Sequence, residues 1–303
     1  MSATQSKPTR IDVLLCTFRR PSVTQTLMSL DAQVQPDGVE MRVIVADNDD
    51  WPSARETVEA AAAKMRVPVL YHHAPARNIS IARNAGLATA DADWIAFIDD
   101  DETASPDWLA TLLARAVASG ADGVFGPALA RYAPQAPAWM RQQDVHSNIP
   151  EQRRGAVQTG HTCNAMLAWR GKPWRDERFD LARGQTGGED TEFFFRIARL
   201  GARFVIAEDA IVTEDVTPGR LKLSWLLLRK YRMGQSYAAA APAPLARLAL
   251  ALSALGKLLI CAVATVAFCW SESRRMFWLL RGALHLGVVS GCLALAQPKL
   301  YGR

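Results

Sequence analysis

Short apolar runs alternate with longer helical patterns along the first 120 residues of the chain. Apolar runs of four to six residues that end at polar residues are typical of buried strands. The longer segments between them, one of which is rich in alanine, have the pattern of helices. The pattern predicts strands at 11–16, 43–46, 67–71 and 94–98, and helices at 23–30, 54–65, 79–88 and 108–118. Such alternation indicates an α/β fold with a mostly parallel sheet and helices on both faces.

The pattern is less regular after residue 120. Residues 127–160 are rich in proline, glutamine and arginine and are predicted to form a loop. A strand at 163–169, a glycine-rich turn and a helix at 189–200 follow, and two short strands at 204–206 and 210–212 close the region. The composition changes near Pro218-Gly219. We therefore expect an α/β domain over 1–218 and a basic, apolar helical region over 219–303.

Polar residues stand at the ends of three predicted strands. Thr17, Asp47 and Asp99 each come directly after an apolar run. The carboxyl ends of parallel strands meet at one edge of a sheet, and α/β folds bind their ligands there. We therefore expect these three side chains to lie together at a ligand site.

Four consecutive acids, Asp99-Asp100-Asp101-Glu102, follow the fourth predicted strand. Adjacent carboxylates repel one another, and a bound divalent cation relieves the repulsion. Hard oxygen ligands suit Mg²⁺ or Mn²⁺, which proteins commonly share with substrate phosphates. The alternative is a solvated acidic turn before a helix that starts near Pro106.

Three further motifs suit a nucleotide, and each has an ordinary structural alternative. The run Thr17-Phe18-Arg19-Arg20-Pro21 could hold a nucleotide at a helix N-terminus, or form a plain strand–helix turn. Asp47 could accept a hydrogen bond from a base or a ribose, or belong to a turn-forming cluster. Arg83 could offer its planar donor fork to a base or a phosphate, or lie on the surface.

A pair of acids, Glu189-Asp190, opens the helix predicted after the glycine-rich turn. The helix dipole favours acids in a first turn, so capping is one interpretation. A carboxylate behind a flexible glycine loop is also the arrangement expected of a general base on a closing loop.

The charge of the chain is divided unevenly. Residues 1–215 carry a net charge of −6, and residues 216–303 carry +11. Such asymmetry predicts that the basic segment faces an anionic surface. Its apolar runs favour a lipid membrane over nucleic acid, for which we find no recognisable module. The five cysteines show neither metal spacing nor a disulfide framework, and the polar N-terminus does not resemble a secretory signal, so we expect a cytosolic exposure.

The basic segment combines an amphipathic pattern with two apolar runs. Residues 220–232 alternate basic and apolar positions, as in helices that lie on a membrane surface. The uninterrupted uncharged runs, 258–271 and 282–296, hold 14 and 15 residues, whereas spanning takes about 20. We therefore expect helices that lie in the cytoplasmic leaflet. A two-span hairpin and helices packed on the α/β domain are the alternatives.

Five motifs in order carry a resemblance over about residues 10–235. They are Cys-Thr-Phe-Arg-Arg-Pro, Ala-Asp-Asn, Ala-Arg-Asn-Ala-Gly, Phe-Ile-Asp-Asp-Asp-Glu and Gly-Gly-Glu-Asp-Thr-Glu-Phe. In this order the chain resembles the family 2 glycosyltransferases with a GT-A fold, and among them the succinoglycan-type exopolysaccharide enzymes. The resemblance implies a nucleotide-sugar donor, most often a UDP-sugar, and a lipid-linked saccharide acceptor at the cytoplasmic face of the inner membrane.

The resemblance also assigns roles to residues of this sequence. The donor-binding set is Thr17, Arg19, Asp47, Arg83, Asp99 and Asp100, and the metal-binding D-x-D pair is Asp99 and Asp101. Within that set Thr17 and Asp47 would contact the nucleoside, and Arg83 the base or the diphosphate. Asp190 would be the general base. One base without a covalent intermediate implies inversion, so that an α-linked donor gives a β-linked product. The metal, Mn²⁺ or Mg²⁺, would stabilise the leaving diphosphate.

The sequence departs from the family pattern in two places. Many relatives have a histidine metal ligand after the last core strands, where this chain has Val212–Asp215, and Glu214 could take its place. The QxxRW element of processive synthases is absent before Trp225, which favours the addition of one sugar per encounter.

The acceptor side is open to more than one interpretation. His161, Cys163 and Asn164 stand where relatives bind acceptor, although such residues after a strand are commonly structural. Three tryptophans could stack on sugars or pack in the core: Trp139, Trp169 and Trp174. Two other functions remain possible. A nucleotidyltransferase would want a glycine-rich triphosphate loop near the first strand, and a non-catalytic membrane-attached scaffold would have no need of Asp101 and Asp190.

Overall fold

The structure is a computed structural model that describes residues 7–153, 156–157, 160–239 and 243–295. Its strands are β1 (Thr9–Thr17), β2 (Val39–Asp47), β3 (Val69–His73), β4 (Trp94–Asp99), β5 (Glu102–Ala104), β6 (Gly123–Phe125), β7 (Ala128–Arg131), β8 (Gln152–Arg153), β9 (Ala156–Val157), β10 (Asn164–Ala168), β11 (Phe204–Ile206) and β12 (Val212–Asp215). Its helices are α1 (Val23–Asp31), α2 (Arg55–Ala62), α3 (Ile79–Thr89), α4 (Trp108–Ser119), α5 (Ala138–Gln143), α6 (Glu189–Arg199), α7 (Leu223–Ala239), α8 (Pro244–Ala267) and α9 (Glu272–Cys292).

Seven strands form the main sheet, in the order β11-β6-β10-β4-β1-β2-β3. Strands β1 to β4 are mutually parallel where they pair, and β11 pairs with β6 in parallel. Only β10, inserted between β4 and β6, runs antiparallel to its neighbours within the described sheet. The predicted α/β fold with a mostly parallel sheet is confirmed.

Apolar side chains from both faces of the sheet are buried under helices. On one face Val13 and Leu15 of β1 belong to a cluster with Trp108 of α4. On the other face Leu14 belongs to a cluster with Phe193 of α6. Successive side chains of a strand point to opposite faces, so the continuous apolar run of β1 serves two cores. This two-sided burial fixes the position of the strand ends where the candidate site lies.

The segment predicted as a loop at 127–160 contains regular structure, so that prediction is wrong in part. It holds β7, helix α5 and the antiparallel strand pair of β8 and β9. Trp139 and Met140 of α5 are buried against Leu226 of α7 and Leu280 of α9. These partners lie about 90 and 140 residues away in the sequence, so local composition gave no signal for the helix.

A second, three-stranded sheet has the order β5-β12-β7. Strand β12 begins two residues after the start of the strand predicted at 210–212. It pairs antiparallel with β5, where Glu214 lies opposite Glu102, and it pairs parallel with β7. This small sheet brings Glu214 next to the acidic run that follows β4.

Helices α7 and α9 pack side by side and parallel. Gly234 of α7 meets the backbone of α9 near Gly287, and Gly291 meets Gln235. A Cβ at any of these glycines would overlap backbone of the other helix, so the close approach requires glycine. At its N-terminal end α9 also contacts α5, where the Gln143 amide donates to the Ser273 carbonyl oxygen at 2.6 Å.

Helix α8 packs antiparallel on α9 and leaves most of its surface exposed. Its 24 residues are long and apolar enough to cross a membrane, by length and composition only, and 11% of its most apolar window is buried. Its large exposed apolar side chains are Leu245, Leu248, Leu252, Leu255, Leu259, Ile260, Val263 and Val266.

The apolar runs expected at 258–271 and 282–296 do not coincide with the helices. Helix α8 begins at Pro244, includes the exposed Lys257 and ends at Ala267, whereas α9 begins at Glu272. Helix α8 is therefore longer than the uncharged run that it contains, because one charge does not end a helix, and the expected position of these helices in the cytoplasmic leaflet stays a prediction. Residue 296 lies outside the described residues.

Candidate active site

Three strand ends meet at one edge of the main sheet, as the sequence predicts. In the β1–β2 register Thr17 is paired with Asp47, and in the β1–β4 register Cys16 is paired with Asp99. The three predicted residues Thr17, Asp47 and Asp99 therefore lie side by side across β2, β1 and β4. Parallel pairing without a register slip is the physical reason for this convergence.

Asp47 is fully buried, and its carboxylate organises the loop after β2. Its oxygens accept from the backbone N–H of Ala54 at 2.9 Å, from Tyr71 Oη at 2.7 Å and from the N–H of Asp49 at 3.1 Å. With these three donors the carboxylate fixes the start of the loop after β2. The predicted direct contact of Asp47 with a nucleoside stays a prediction.

Arg19 and Thr17 anchor the loop after β1. Arg19, at a φ of 55°, forms a two-pronged ion pair with Asp49, at 2.8 Å through both Nε and Nη2. That arginine holds the pKa of Asp49 down at about 2. The hydroxyl of Thr17 donates to Asp100 Oδ2 at 2.7 Å. The two predicted donor-binding residues thus tie the β1 loop to the β2 loop and to the acidic run.

The four acids after β4 have four different surroundings. The Asp99 side chain is 45% exposed and forms an ion pair with Arg83 Nη2 at 3.9 Å. Asp100 is buried, and burial raises its pKa to about 6 against the opposing effect of Arg20. Burial also raises the pKa of Glu102 well above its usual value, and its Oε2 accepts from the N–H of Asp99 at 2.8 Å.

Asp101 is held by two arginines, neither of which is among the site residues predicted from the sequence. Arg20 forms an ion pair with it, and Arg220 Nη2 lies 3.3 Å from its Oδ2. Arg220 also pairs with Glu214, so one guanidinium links Glu214 to the D-x-D pair. The signal for Arg20 was the Arg-Arg-Pro turn. No sequence signal pointed to Arg220, because it lies 119 residues after Asp101 in the chain.

Arg83 joins the acidic run to the start of α6. It is 8% exposed, forms an ion pair with Glu189, and lies 3.9 Å from Asp99. Its guanidinium also lies 5.4 Å from the centre of the Phe179 ring. Arg83 is therefore not the surface arginine that the sequence left open as an alternative, but a buried one that lies between two carboxylates. The structure thereby places the donor-side acids and the Glu189-Asp190 pair in one cluster.

The predicted base, Asp190, lies in the first turn of α6 beside a histidine. His161 Nδ1 is 3.1 Å from Asp190 Oδ2, and the backbone N–H of Thr191 donates to Oδ1 at 2.7 Å. Burial acts to raise the pKa of Asp190, but the hydrogen bond and charge of His161, and the charge of Arg83, outweigh it and hold the pKa at about 2. Glu189 is more deeply buried, and burial raises its pKa.

The other residues expected on the acceptor side are mostly structural. Asn164 is buried and accepts from Trp108 Nε1 at 2.8 Å while its amide donates to the Pro127 and Ala210 carbonyl oxygens. Trp139, Trp169 and Trp174 are all at least 95% buried in the core clusters, so stacking on a sugar is excluded for the side chains as they stand.

The two cysteines of the site are poor nucleophiles. Burial raises the pKa of Cys16 to about 12 and the pKa of Cys163 well above its usual value. The thiolate is the reactive form of cysteine. Covalent catalysis by either thiol is therefore disfavoured.

Asp99 and Asp101 suit a divalent cation that is shared with a substrate. Among the described residues no group of three or more histidine, cysteine, aspartate or glutamate side chains is placed to hold a metal alone. Mg²⁺ commonly binds one or two carboxylates and completes its shell with water and substrate phosphates. The exposed Asp99 carboxylate and the neighbouring Asp101 match that donor set. A metal at Asp101 would have to displace Arg20 and Arg220.

Comparison with known proteins identifies the family of the chain. The family model described as Glycosyl transferase family 2 matches residues 12–172, and the model for Glycosyl transferase family group 2 matches residues 94–294. The succinoglycan biosynthesis protein ExoM of Rhizobium meliloti (strain 1021) is 44% identical over 295 residues, which cover 96% of each chain.

Solved structures show the same fold. A mannosyltransferase, PcManGT from Pyrobaculum calidifontis, solved in complex with GDP-Man and Mn²⁺, is similar with a TM-score of 0.63 at 19% identity, over 94% of this chain and 87% of that one. Residues 1–349 of S. aureus TarS are similar with a TM-score of 0.52 at 16% identity, over 92% of each chain. These likenesses confirm the GT-A fold. The chain belongs to glycosyltransferase family 2.

Proposed function

We propose that the protein is an inverting, metal-dependent glycosyltransferase that moves a hexose from a UDP-sugar to a lipid-linked saccharide in surface polysaccharide biosynthesis. The observation that carries the proposal is the buried Arg83, which contacts Asp99 of the acidic run and Glu189 next to the candidate base. One cluster therefore holds groups for a donor diphosphate and a group for an acceptor hydroxyl.

Asp190 is the proton acceptor in this proposal. Its ionised carboxylate takes the proton of the acceptor hydroxyl while the acceptor oxygen bonds to the anomeric carbon and the bond to the diphosphate breaks. The nucleoside diphosphate leaves with the electron pair. A single displacement with one base inverts the configuration at that carbon. The thiols of Cys16 and Cys163 stay protonated because burial raises the pKa of both, which disfavours a covalent intermediate on either.

Asp99 and Asp101 would hold the Mn²⁺ or Mg²⁺ ion, and Glu214 lies within reach of the same arginine as Asp101. When bound, the metal would neutralise the charge that develops on the leaving diphosphate. Arg20 and Arg220 offer further positive charge at the same place once they leave Asp101. Thr17, Arg19, Asp47 and Asp100 shape the nucleoside end of the pocket.

The relatives support a nucleotide-sugar donor in general and an acceptor in polysaccharide assembly. The structures of similar fold include complexes with GDP-Man and, for TarS, with UDP-GlcNAc. The succinoglycan biosynthesis protein ExoM, which is similar over 96% of each chain, acts in polysaccharide assembly according to its name. Family membership favours glycosyl transfer over the nucleotidyl transfer and scaffold alternatives. We propose a UDP-sugar as donor.

The exposed face of α8 suits a membrane surface. Eight large apolar side chains are exposed along this one helix, and the region 216–303 carries a net charge of +11, which complements anionic lipid. Helix α7 contacts the α/β domain at Trp139 near its start and at Gly188 near its end, and α9 and α8 run alongside it. This packing favours a helical layer that lies in the cytoplasmic leaflet of the inner membrane.

A donor screen tests the proposed function. The purified protein is mixed with UDP-glucose, UDP-galactose, UDP-N-acetylglucosamine or GDP-mannose, with Mn²⁺ or with a chelator, and binding and release of the nucleoside diphosphate are measured. We expect one UDP-sugar to bind only with metal and to be hydrolysed slowly with water as the acceptor. A protein that binds but never hydrolyses any donor would be a scaffold, and tighter binding of GDP-mannose would correct the nucleoside.

A further inference from the structure

A histidine from outside helix α6 contacts the carboxylate proposed as the base. His161 lies in the segment before β10, 29 residues before Asp190 in the sequence, and its Nδ1 is 3.1 Å from Asp190 Oδ2. The other carboxylate oxygen, Oδ1, accepts from the backbone N–H of Thr191 at 2.7 Å. An ionised carboxylate only accepts hydrogen bonds, so Nδ1 of His161 carries the proton and donates it. Each oxygen of Asp190 is thus held by a donor.

The surroundings of Asp190 would otherwise oppose its ionised form. Its side chain is 19% exposed, and burial acts to raise its pKa. Four charged or titratable groups face it: Glu189 of its own helix, Arg83 of α3, Cys163 directly before β10, and His161. Of these, Arg83 is committed to Glu189, whereas His161 makes the direct hydrogen bond to Asp190.

We propose that His161 is a positioning residue for the reaction. Its Nδ1–H holds the Asp190 carboxylate in one rotamer and in the ionised form that accepts the proton of the acceptor hydroxyl. This inference rests on the proposed function, in which Asp190 is the base. Oδ1 keeps its bond to the Thr191 N–H throughout, and the proton of the acceptor goes to a carboxylate oxygen. The imidazole ring gains and loses no proton.

Two substitutions separate this role from simple packing. His161→Asn keeps an N–H donor close to the position of Nδ1, whereas His161→Leu fills similar space without a donor. His72, an exposed histidine on β3, provides a matched control in His72→Leu. Nucleoside diphosphate release is measured across pH with the donor that the wild type hydrolyses in the screen above. Donor binding and thermal unfolding are measured on the same samples.

We expect His161→Leu to lower kcat about 10- to 100-fold, the usual value of a hydrogen bond to a charged group. Its donor dissociation constant should stay within about twofold of wild type, because the lost hydrogen bond is to Asp190, which is not among the predicted donor-binding residues. The acid limb of its kcat profile should move to higher pH, because the hydrogen bond and charge of His161 then no longer oppose the effect of burial on the pKa of Asp190. His161→Asn should recover most of the activity and the wild-type limb, and His72→Leu should match wild type.

Two results would overturn the inference. Unchanged kcat and pH profile in a folded His161→Leu variant would show that the contact does not serve the base. An equal loss of kcat in His161→Asn and His161→Leu, together with the disappearance of the acid limb from both pH profiles, would indicate that the imidazole itself accepts the proton. Failure of the proposed function looks different, since it would appear as a wild-type protein without hydrolysis or as full turnover in Asp190→Asn.

Discussion

The carboxyl edge of the main sheet and the helical layer beside it are built by different interactions. At the sheet edge, parallel register places Thr17, Asp47 and Asp99 side by side, and buried ion pairs lock the loops together. In the helical layer, glycines let the backbones of α7 and α9 approach closely, while α8 packs on α9 and exposes most of its apolar side chains. The comparison teaches that register and ion pairs position the candidate site, whereas close helix packing leaves the apolar face of α8 exposed.

The largest expected effect comes from the base at the junction of the two regions. Asp190→Asn should keep donor affinity and lower turnover by about 10²–10⁴-fold, the usual contribution of a general base. Glu192→Gln, on the same helix and paired with Arg196, is the matched control and should keep turnover near wild type. Turnover and donor binding are measured for both variants. Near-normal turnover in Asp190→Asn would move the base to another residue, with Glu189 the first to examine.

The helical layer should depend on its glycine contacts. Gly287→Val would drive a side chain into the Tyr231 backbone and should destabilise the packing of α7 on α9 by about 1–3 kcal/mol. Gly256→Ala on α8 meets no atom within 4 Å and should leave this packing intact. Thermal unfolding and limited proteolysis compare the two. Equal stability of both variants would mean that the layer is not held at these glycines.

The sheet edge should depend on its metal-binding carboxylates. Asp99→Asn should weaken metal-dependent donor binding about tenfold or more, which corresponds to ~1.4 kcal/mol, with little change in stability because the side chain is half exposed. Asp107→Asn, an exposed acid just before α4, is the control. Calorimetric titration with donor and Mn²⁺ measures both. Unchanged affinity in Asp99→Asn, or full affinity in chelator, would contradict a metal at this pair.

The smallest effect, a partial shift between fractions, is expected at the outer face of α8. Replacing Leu252, Leu259 and Val263 by serine should move part of the protein from the membrane to the soluble fraction, because each change removes apolar surface from lipid. A basic-to-glutamine series on α7 is less informative, since Arg232 is buried. Fractionation in high salt and in alkaline carbonate measures the effect. Full resistance to both washes would mean that α8 spans the bilayer.

The sequence predicted the sheet edge well for a physical reason. Strand identity and strand ends depend on local patterns, such as the run Trp94–Ile98 followed by acids, and parallel pairing then brings the ends together. The predicted cluster of Thr17, Asp47 and Asp99 is confirmed as a cluster. Their roles toward a donor stay predictions.

The remaining features depend on contacts between distant segments. Helix α5 is held by Leu226 and Leu280, Arg220 reaches Asp101 across 119 residues, and His161 reaches Asp190 from before β10. No local pattern encodes such pairs. The uncharged runs of residues 219–303 did not predict the bounds of α8, because Lys257 interrupts the hydropathy pattern without interrupting the helix.

The configuration of the product tests the central claim most directly. With the donor and acceptor in hand, the anomeric proton of the newly transferred sugar is followed by NMR from the start of the reaction. One base at Asp190 and no covalent intermediate predict that an α-linked UDP-sugar gives a β-linked product. An α-linked first product would contradict the account, because a single displacement at the anomeric carbon cannot retain its configuration.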